Sequence, residues 1–305
     1  MSGRPRKIVG MALHYSSMER PGLDPDRLRA ALVAPNGPFA ALDVVQETGS
    51  TNTDLARAAE LRPSDARDLT VLTAELQTAG RGRLDRSWVA PARSSLFVSV
   101  LFRPAGPSGR PLPTQSYGWL SLLAALAMAE SVAARTGVEA RLKWPNDVMV
   151  DGRKLAGVLA QLVPFSDGSP PAVVVGAGLN VSLTDEDLPV PTATSLLMEY
   201  AFTTDRNILL TDYLQALAGK YRAFCSVDGD PEAVPEGEPG SLRAQVIDRL
   251  VTLGRHVRAQ LPGGGELTGR AVALEPTGAL VIVDEAGQPH TVTAADVVHL
   301  RAEPA

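Results

Sequence analysis

Residues 141–162 read RLKWPNDVMVDGRKLAGVLAQL, and this stretch predicts a β-hairpin. The segment WPND (144–147) demands a turn, after which VMV predicts a strand. Asp-Gly at 151–152 is typical of a two-residue hairpin turn, and LAGVLAQL predicts the returning strand. Lys154 then lies near the start of that strand, beside a small Ala-Gly pair. A lone lysine at a hairpin is usually a solvated charge, and the small neighbours strengthen the alternative, a lysine that points into a ligand cleft, without excluding the first interpretation.

The segments around the hairpin alternate between strand-like and helix-like patterns from residue 42 to residue 224, which predicts a mixed α/β core. A long apolar stretch of strong helix formers at 119–137 predicts a buried core helix that ends at a glycine C-cap. Asp205 is suited to cap a later helix. The predicted strands include LTVLTAE (69–75), SLFVSVLF (95–102) and AVVVGAGLNVSL (172–183), and the later helices are 207–224 and 242–250.

The two ends of the chain differ from this core. Residues 1–38 are polar, contain at most one short helix near 25–33, and are too few and irregular for a helix-turn-helix with its own core. From residue 254 short β runs alternate with Gly and Pro turns, which predicts a small SH3-like barrel. The predicted organisation is an N-terminal extension (1–38), a large α/β domain (39–253) with an acidic flexible linker or insertion at 225–241, and the barrel (254–303).

The composition excludes several classes of protein. Of the 305 residues 45% are hydrophobic and 21% charged, and no run approaches the roughly 20 apolar residues of a membrane helix. Cys225 is the only cysteine and the four histidines are scattered, so the sequence predicts neither an intramolecular disulfide nor a metal cluster. A net charge of −5 argues against non-specific nucleic-acid binding over the whole surface. Because the N-terminus does not resemble a secretory signal, we expect a cytoplasmic protein.

The segment ETGSTNTDLARAAEL (47–61) places Ser50, Thr51 and Asn52 immediately before a helical pattern. Their hydroxyls, amide and backbone N–H groups then cluster at a helix N-terminus. Simple capping explains such residues in most cases. The alternative is that the same donors and acceptors hold a small polar ring, such as a ureido group.

The segment QTAGRGRLDRSW (77–88) sets Arg81, Arg83 and Arg86 among glycines that allow backbone conformations closed to other residues. Such a loop suits phosphate, a solvated basic turn or a nucleic-acid contact, and these residues alone do not choose among the three. The loop lacks the Lys-Ser/Thr ending of a P-loop and matches no dinucleotide fingerprint.

The segment VVVGAGLNV (173–181) carries Gly176 and Gly178 inside an apolar strand. Glycine weakens a strand unless another backbone or a ligand approaches it closely. A β-bulge explains one such glycine well and two less well. Asn180 follows at the end of the strand, where a polar side chain can reach a bound group.

These segments, taken in chain order, closely resemble the successive blocks of the bacterial biotin protein ligases of the type without a DNA-binding domain. The likeness is strong over residues 42–183 and looser from residue 254. It implies an α+β fold, in which a catalytic domain similar to the class II aminoacyl-tRNA synthetases, with a mixed sheet and helices, precedes a C-terminal SH3-like β-barrel. It also implies a ligase that uses ATP to form biotinyl-5'-AMP and transfers biotin to a lysine of a carrier domain.

The resemblance also implies the roles of site residues. Lys154, Arg81 and Arg83 are the expected catalytic residues. The positions that match the biotin-binding motifs are Ser50, Thr51, Asn52, Gln77, Gly80, Arg81, Gly82, Arg83, Lys154, Gly157, Gly176 and Gly178. Those that match the handling of ATP or the adenylate are Arg83, Arg86, Asn146 and Asn180. Asp85 stands where the family's loop has a glycine, which adds a carboxylate and removes flexibility.

The implied reaction brings the carboxylate of biotin to the α-phosphate of ATP, so it needs fixed cations and the Mg²⁺ that enters with ATP, but no dedicated metal site. The implied acceptor is a biotin carboxyl carrier domain of an acyl-CoA or pyruvate carboxylase. A lipoate protein ligase is the nearest alternative, and a biotin-responsive repressor or a pure nucleic-acid-binding protein are others. We expect no DNA or membrane partner, and a monomer or weak homodimer.

Overall fold

The structure, a computed structural model, describes residues 20–83, 86–261, 264–293 and 296–299. The expectations that concern Asp85 and residues 1–19 therefore lie outside the described residues. Seven strands form the larger sheet, in the order β1-β2-β3-β7-β6-β5-β4. Their bounds are β1 Ala41–Val45, β2 Thr70–Ala74, β3 Ser95–Phe102, β4 Arg141–Lys143, β5 Asp147–Val150, β6 Arg153–Val163 and β7 Ala172–Asn180.

This sheet is mixed, because β1 and β2 run parallel while every other pair of neighbouring strands in it is antiparallel. The predicted hairpin is β5 and β6, and its turn at Asp151 and Gly152 has positive φ at both residues, 47° and 80°. That conformation suits a two-residue hairpin turn and favours glycine at the second position. The strands predicted at 69–75, 95–102 and 172–183 are confirmed as β2, β3 and β7.

Helices cover both faces of the sheet. The helices are α1 Pro25–Leu32, α2 Thr51–Leu61, α3 Trp119–Thr136, α4 Arg206–Ser226 and α5 Leu242–Arg249. Helix α3 packs against α4 and against strands β4 to β7, whereas α2 lies on β2, β3, β6 and β7. Strand β3 is buried throughout, and β7 is buried at every residue except Gly176 and Gly178. Because successive side chains of a strand point to opposite faces, both strands contribute to the two layers of helices.

The two faces of the sheet differ in character. On β7, Val173, Val175 and Ala177 join the large core with α3 and α4, whereas Val174 joins the smaller core under α2. Gly176 and Gly178 follow Val174 at the strand period of two, so they lie on the α2 face. The α2 face of β7 is therefore apolar at the Val174 end and carries no side chains at the end with the two glycines.

The ends of the helices follow from local chemistry. Asp205 accepts from the backbone N–H groups of Asn207 and Ile208, which confirms the predicted cap of α4. Helix α3 ends at Gly137, whose φ of 72° confirms the predicted glycine C-cap. Contrary to the expectation from composition, the helical stretch Thr114–Thr136 is long and apolar enough to cross a membrane, but 67% of its most apolar window is buried inside the fold, as in a core helix.

Residues 227–241 form turns between α4 and α5, with neither helix nor strand. They pack against both helices, because Pro231 and Pro235 are buried and Lys220 of α4 lies 3.0 Å from the Glu238 carboxylate. The absence of regular structure agrees with the composition of the segment, but these contacts show that it is seated on the domain. Its flexibility stays a prediction.

The C-terminal unit is a five-stranded antiparallel sheet in the order β11-β10-β9-β8-β12. Its strands are β8 His256–Gln260, β9 Glu266–Leu274, β10 Leu280–Val283, β11 Pro289–Val292 and β12 Asp296–His299. Alternate residues of β8 and β10 are buried, which is the pattern of a small barrel with one core face. A mixed sheet with helices, followed by this all-β unit, confirms the α+β fold class.

Candidate active site

The N-terminus of α2 lies against the segment that follows β2. Ser50 caps the helix by accepting from the Thr53 N–H at 3.5 Å. The Gln77 side-chain oxygen accepts from the backbone N–H of Thr51 at 2.8 Å and from its hydroxyl at 3.1 Å. Gln77 thus satisfies one of the N–H groups that every helix start leaves free. Ser50 and Gln77 therefore cap the helix, and Gln77 also links the start of α2 to the segment after β2.

Asn52 lies across three strands of the sheet. Its side-chain N–H donates to the Leu159 carbonyl of β6 at 2.9 Å, and its side-chain oxygen lies 2.7 Å from the Ser99 hydroxyl of β3. Gly176 of β7 pairs with both Ser99 and Leu159 and therefore lies between them. A Cβ at Gly176 would lie 2.1 Å from the Asn52 oxygen, so only glycine leaves room for this amide.

A second row of small residues lies one pleat further along the sheet. Gly178 of β7 pairs with Gly157 of β6, which pairs in turn with Asp147 of β5. The indole ring of Trp88 covers both glycines, since a Cβ would lie 2.7 Å from the ring at Gly178 and 3.0 Å from it at Gly157. We call Gly157, Gly176 and Gly178 the glycine floor. The indole N–H of Trp88 is buried there and finds no hydrogen-bond partner among the described residues.

The loop that carries Trp88 folds back on itself. The Trp88 N–H donates to the Gly80 carbonyl at 2.8 Å, and Gly82 donates to the Arg86 carbonyl at 2.6 Å. A Cβ at Gly80 would lie 2.4 Å from the Trp88 carbonyl, which explains why this position is glycine. The GRGR segment therefore acts as one arm of a narrow loop whose other arm lays Trp88 on the glycine floor.

A β-bulge decides where Lys154 points. Asp147, Val148 and Met149 pair with Gly157, Ala156 and Lys154, so Leu155 is one extra residue in β6. In a regular strand Lys154 and Gly157, three residues apart, would face opposite sides of the sheet. The extra residue reverses the alternation and brings Lys154 to the side of the glycine floor.

The ammonium group of Lys154 has two partners on that side. Its Nζ lies 2.6 Å from an Asp147 carboxylate oxygen and 5.2 Å from the centre of the Trp88 ring. The side chain is 35% exposed, so the cation is desolvated in part and still reachable from solvent. A cation held between a carboxylate and an aromatic face at the edge of a small-residue floor is placed to receive an anionic group of a ligand.

A cavity of about 230 Å³ lies beside the floor, between the large domain and the C-terminal barrel. Arg83 and Asn146 line it on one side, and Thr277, Gly278 and Ala279 of the barrel line it on another. Leu159, whose carbonyl holds Asn52, also lines it. Strand β6 therefore joins the floor, which has Lys154 at its edge, to the cavity, which has Arg83 in its lining.

The Asn146 side chain donates to the Val158 carbonyl of β6, and Val158 donates back to the Asn146 carbonyl at 2.9 Å. This reciprocal pair fixes the WPND turn against the sheet. Within the described ranges, no group of three or more His, Cys, Asp or Glu residues is placed to hold a metal ion.

Comparison with known proteins identifies the chain. Residues 44–180 match the Biotin/lipoate A/B protein ligase family, and residues 252–300 match the Biotin protein ligase C terminal domain. A biotin--[acetyl-CoA-carboxylase] ligase of Mycobacterium tuberculosis is 41% identical over 92% of this chain and 97% of its own length. The chain belongs to the biotin protein ligase family.

Further relatives agree with this membership. A biotin--[acetyl-CoA-carboxylase] ligase of Paracoccus denitrificans is 34% identical, over 83% of this chain and 98% of its own length. Among solved structures, the biotin protein ligase of Aquifex aeolicus in complex with biotin and ATP superimposes with a TM-score of 0.65 at 25% identity, over 87% of this chain and all of that chain. The similarity therefore spans both units of this ligase.

The structure gathers most of the residues expected for this ligase into one region. Thr51, Asn52 and Gln77 form one hydrogen-bonded group with Ser99. Ser50 caps the same helix, and Gly80 and Gly82 shape the loop beside it. Lys154, Gly157, Gly176 and Gly178 share the floor, while Arg83 and Asn146 share the cavity. Their roles toward biotin and ATP stay predictions.

Three expected residues take other positions. Arg81 is exposed, and its backbone forms an isolated β-bridge with Ser87. That its side chain acts together with Lys154 stays a prediction. Arg86 is exposed on the second arm of the same loop. Asn180 is buried, and its side-chain N–H donates to the Thr194 carbonyl at 2.9 Å. Because the Thr194 N–H donates to the Lys154 carbonyl at 2.9 Å, Asn180 supports the backbone of Lys154 from behind.

The sequence did not reveal three residues of this site. Asp147 belongs to the WPND turn, and its contact with Lys154 depends on the bulge in β6. Ser99 lies in an apolar strand, where a single buried hydroxyl between valines was the available signal. Trp88 ends the arginine loop, and an aromatic residue after a glycine-rich loop is a signal that could have been used. Its contact with Gly178 is too long-range to be predicted from sequence.

Proposed function

We propose that this chain activates biotin with ATP and transfers it to a lysine of a biotin carboxyl carrier domain. The position of Lys154 carries the proposal, since the bulge in β6 brings this cation to the edge of the glycine floor, on the same strand that lines the cavity with Arg83. An enzyme that joins a carboxylate to a phosphate needs fixed positive charge where the two anions meet.

Biotin is proposed to lie on the glycine floor. The polar group formed by Thr51, Asn52, Gln77 and Ser99 offers both donors and acceptors to a ureido ring. The bare floor allows the fused rings of biotin to approach the backbone, and the valeryl carboxylate is proposed to point to Lys154. Trp88 covers this floor in the structure, so binding requires its indole ring to move off the glycines or to close over the ligand.

ATP is proposed to occupy the adjoining cavity, with Asn146 and apolar residues around the nucleoside and Arg83 beside the phosphates. The carboxylate oxygen of biotin attacks the α-phosphorus, and the bond to the β,γ-pyrophosphate breaks with departure of that group. Lys154, Arg81 and Arg83 are proposed to stabilise the charge on the phosphate oxygens, together with the Mg²⁺ of the ATP complex. The mixed anhydride that remains is biotinyl-5'-AMP.

Transfer requires no nucleophile from the ligase. The neutral amine of an acceptor lysine attacks the acyl carbon of the anhydride, the bond to AMP breaks, and the amine loses a proton to form the amide. The acceptor proposed here is a biotin carboxyl carrier domain of an acyl-CoA or pyruvate carboxylase. We also propose that the chain works in the cytoplasm, as a monomer or weak homodimer, and does not bind DNA.

Selectivity between biotin and lipoate tests the proposal, since the matched family contains ligases for both acids. The purified chain is mixed with MgATP and either biotin or lipoic acid, and pyrophosphate release is followed. Release that depends on biotin and not on lipoic acid is expected, because the hydrogen-bonding group at α2 suits a ureido ring and a dithiolane has no such groups. Faster release with lipoic acid would contradict the assignment.

A further inference from the structure

Two tryptophans of the large domain hold one turn of the C-terminal barrel. The turn comprises residues 275–279 and joins β9 to β10. The indole N–H of Trp119 donates to the Pro276 carbonyl at 2.8 Å, and the indole N–H of Trp144 donates to the Gly278 carbonyl at 3.0 Å. The two tryptophans are only 1% and 2% exposed. Buried indole N–H groups require acceptors, so this pair fixes the turn at two alternate carbonyls.

The turn is also well defined internally. The Gly278 N–H donates to the Glu275 carbonyl at 2.9 Å, and the Glu275 N–H donates to the Ala279 carbonyl at 2.8 Å. Gly278 has a φ of 81°, which glycine adopts without strain. A Cβ at this position would lie 3.5 Å from Leu122 of α3, so the turn packs directly on that helix.

The same turn forms a wall of the cavity that Arg83 and Asn146 line. Trp144 immediately precedes the Pro145-Asn146 pair, and its backbone N–H donates to the Thr252 hydroxyl at 3.0 Å. Trp144 is therefore bound to the C-terminal part of the chain through both its ring and its backbone. Trp119 lies at the start of α3, beside Gly118, which also lines the cavity. Each tryptophan thus joins an element of the cavity to the barrel.

We infer that Trp119 and Trp144 are positioning residues for the ATP step, which they serve by holding the 275–279 turn as a fixed wall of the nucleotide cavity. The inference rests on the proposed function. It gives the C-terminal barrel a definite part in the reaction: the barrel closes the ATP subsite, while the biotin floor is built by the large domain. Loosening the turn weakens the binding of ATP. It does not change the binding of biotin measured without ATP.

Three variants test this inference. Trp119→Phe and Trp144→Phe each remove one indole N–H and keep an aromatic ring in the core. Gly278→Ala strains the turn through its positive φ and keeps both tryptophans, whose nearest atom, in the Trp119 ring, would lie at an ordinary contact distance of 3.6 Å from the new Cβ. The test therefore survives if a tryptophan variant fails to fold. For each variant we expect about a fivefold rise in the KM for ATP in biotin-dependent pyrophosphate release, corresponding to one lost hydrogen bond. The kcat and the Kd for biotin measured without ATP are expected to stay at wild-type values.

Tyr117→Phe is the matched control, because it removes a hydrogen bond from another buried aromatic residue to a proline carbonyl, that of Pro171, at 3.4 Å and away from the barrel. It is expected to keep the wild-type KM for ATP. Hydrogen exchange at the amides of residues 278 and 279 reports the turn directly, and it is expected to quicken in the three test variants and not in Tyr117→Phe.

An unchanged KM for ATP in variants whose turn exchanges faster would overturn the inference. An equal weakening of biotin and ATP binding would also overturn it, because the loss would then be general. Absence of biotin-dependent pyrophosphate release in the wild-type protein would instead refute the proposed function, and the exchange result would still show whether the tryptophans hold the turn.

Discussion

Lys154 owes its orientation to a single extra residue in its strand. The sequence predicted the hairpin, its Asp-Gly turn and a lysine at the start of the returning strand. A regular strand would nevertheless have turned Lys154 away from Gly157, and the bulge at Leu155 corrects this. Because a bulge depends on how β5 and β6 pair, the chain's local pattern does not predict it. The resemblance to a known family indicated that Lys154 belongs to the site, which strand periodicity alone did not indicate.

At the scale of this residue, Lys154→Ala is expected to lower the rate of biotin-dependent pyrophosphate release by about 10²-fold or more, because a fixed cation at the developing charge is lost. The fold is expected to remain, since the Lys154 side chain is at the rim of the floor and supports little of the core. Steady-state pyrophosphate release and circular dichroism measure the two effects.

Arg153→Ala is the matched control for that substitution. Arg153 is the preceding cation on the same strand, and it pairs with Glu199 at 2.8 Å instead of Asp147. A rate close to that of the wild type is expected. Equal losses in the two variants would show that charge on β6 in general, and not the ammonium of Lys154, supports the reaction.

At the scale of the element, β7 shows what strand periodicity can and cannot predict. Two glycines two residues apart must lie on one face of a strand, so a bare patch on a single face followed from the sequence. The identity of the side chains above that patch did not, because Asn52 and Trp88 arrive from elements distant in the chain. Long-range packing of this kind is set by the whole sheet and its helices.

The floor predicts a specific effect of Gly176→Ala. The new Cβ would meet the Asn52 amide, which is held between Ser99 and Leu159 and has no room to withdraw. We expect a loss of about 1–3 kcal/mol in the free energy of unfolding, as for other overpacked sites. We also expect the Kd for biotin to rise at least about tenfold, since the Asn52 amide is displaced. Urea unfolding and calorimetry measure these quantities.

Gly219→Ala serves as the control for Gly176→Ala. Gly219 lies inside helix α4, and a Cβ there meets no atom within 4 Å. Alanine is expected to stabilise this helix by about 0.5–1 kcal/mol and to leave biotin binding unchanged. If Gly176→Ala bound biotin as well as Gly219→Ala does, the floor would not be the biotin subsite.

At the scale of the whole molecule, one buried ion pair joins three parts of the chain. Glu75, after β2, lies 2.6 Å from Arg206 at the start of α4, and the two side chains are 3% and 4% exposed. The other Glu75 oxygen accepts from the Leu23 N–H at 2.6 Å. Burial lowers the pKa of Arg206 despite the opposing effect of Glu75, which indicates how strongly this guanidinium is desolvated.

Glu75→Gln is therefore expected to lower the free energy of unfolding by about 3–5 kcal/mol, because it leaves a buried guanidinium without a counter-charge. Asp212→Asn, which breaks the solvent-exposed pair with Arg135, is the control and is expected to cost at most about 1 kcal/mol. Urea denaturation at neutral pH distinguishes them. Similar costs for the two substitutions would mean that the buried pair does not hold α4 to the N-terminal segment.

The junction between the two units has a built-in pH dependence. Burial, with a contribution from Lys143 and Arg255, lowers the pKa of His299 from 6.5 to about 4. The folded state thus favours the neutral imidazole, and the stability that this provides is present above pH 6.5 and lost as the pH falls toward 4. We expect the wild type to lose stability relative to His299→Gln across that window in urea unfolding. A constant difference between the two proteins would contradict this assignment.

The sequence predicted that a small barrel follows the large domain but not how the two meet. The apolar helix at 119–137 and the WPND turn were each assigned to the large domain, and nothing in their patterns showed that Trp119 and Trp144 would donate to the same barrel turn. An interface of this kind depends on the shapes of two folded units. It is therefore set at the scale of the molecule and is not visible in any one segment.

Biotinylation of a carrier domain tests most directly whether one site on this chain both activates biotin and transfers it to a protein lysine. The purified chain, MgATP and biotin are mixed with a biotin carboxyl carrier domain, and the mass of the intact carrier is measured by mass spectrometry. We expect the carrier to gain the mass of one biotinyl group and AMP to be formed, and we expect Lys154→Ala to abolish both. An unmodified carrier in the presence of the wild-type protein, or an equal mass gain with Lys154→Ala, would contradict it.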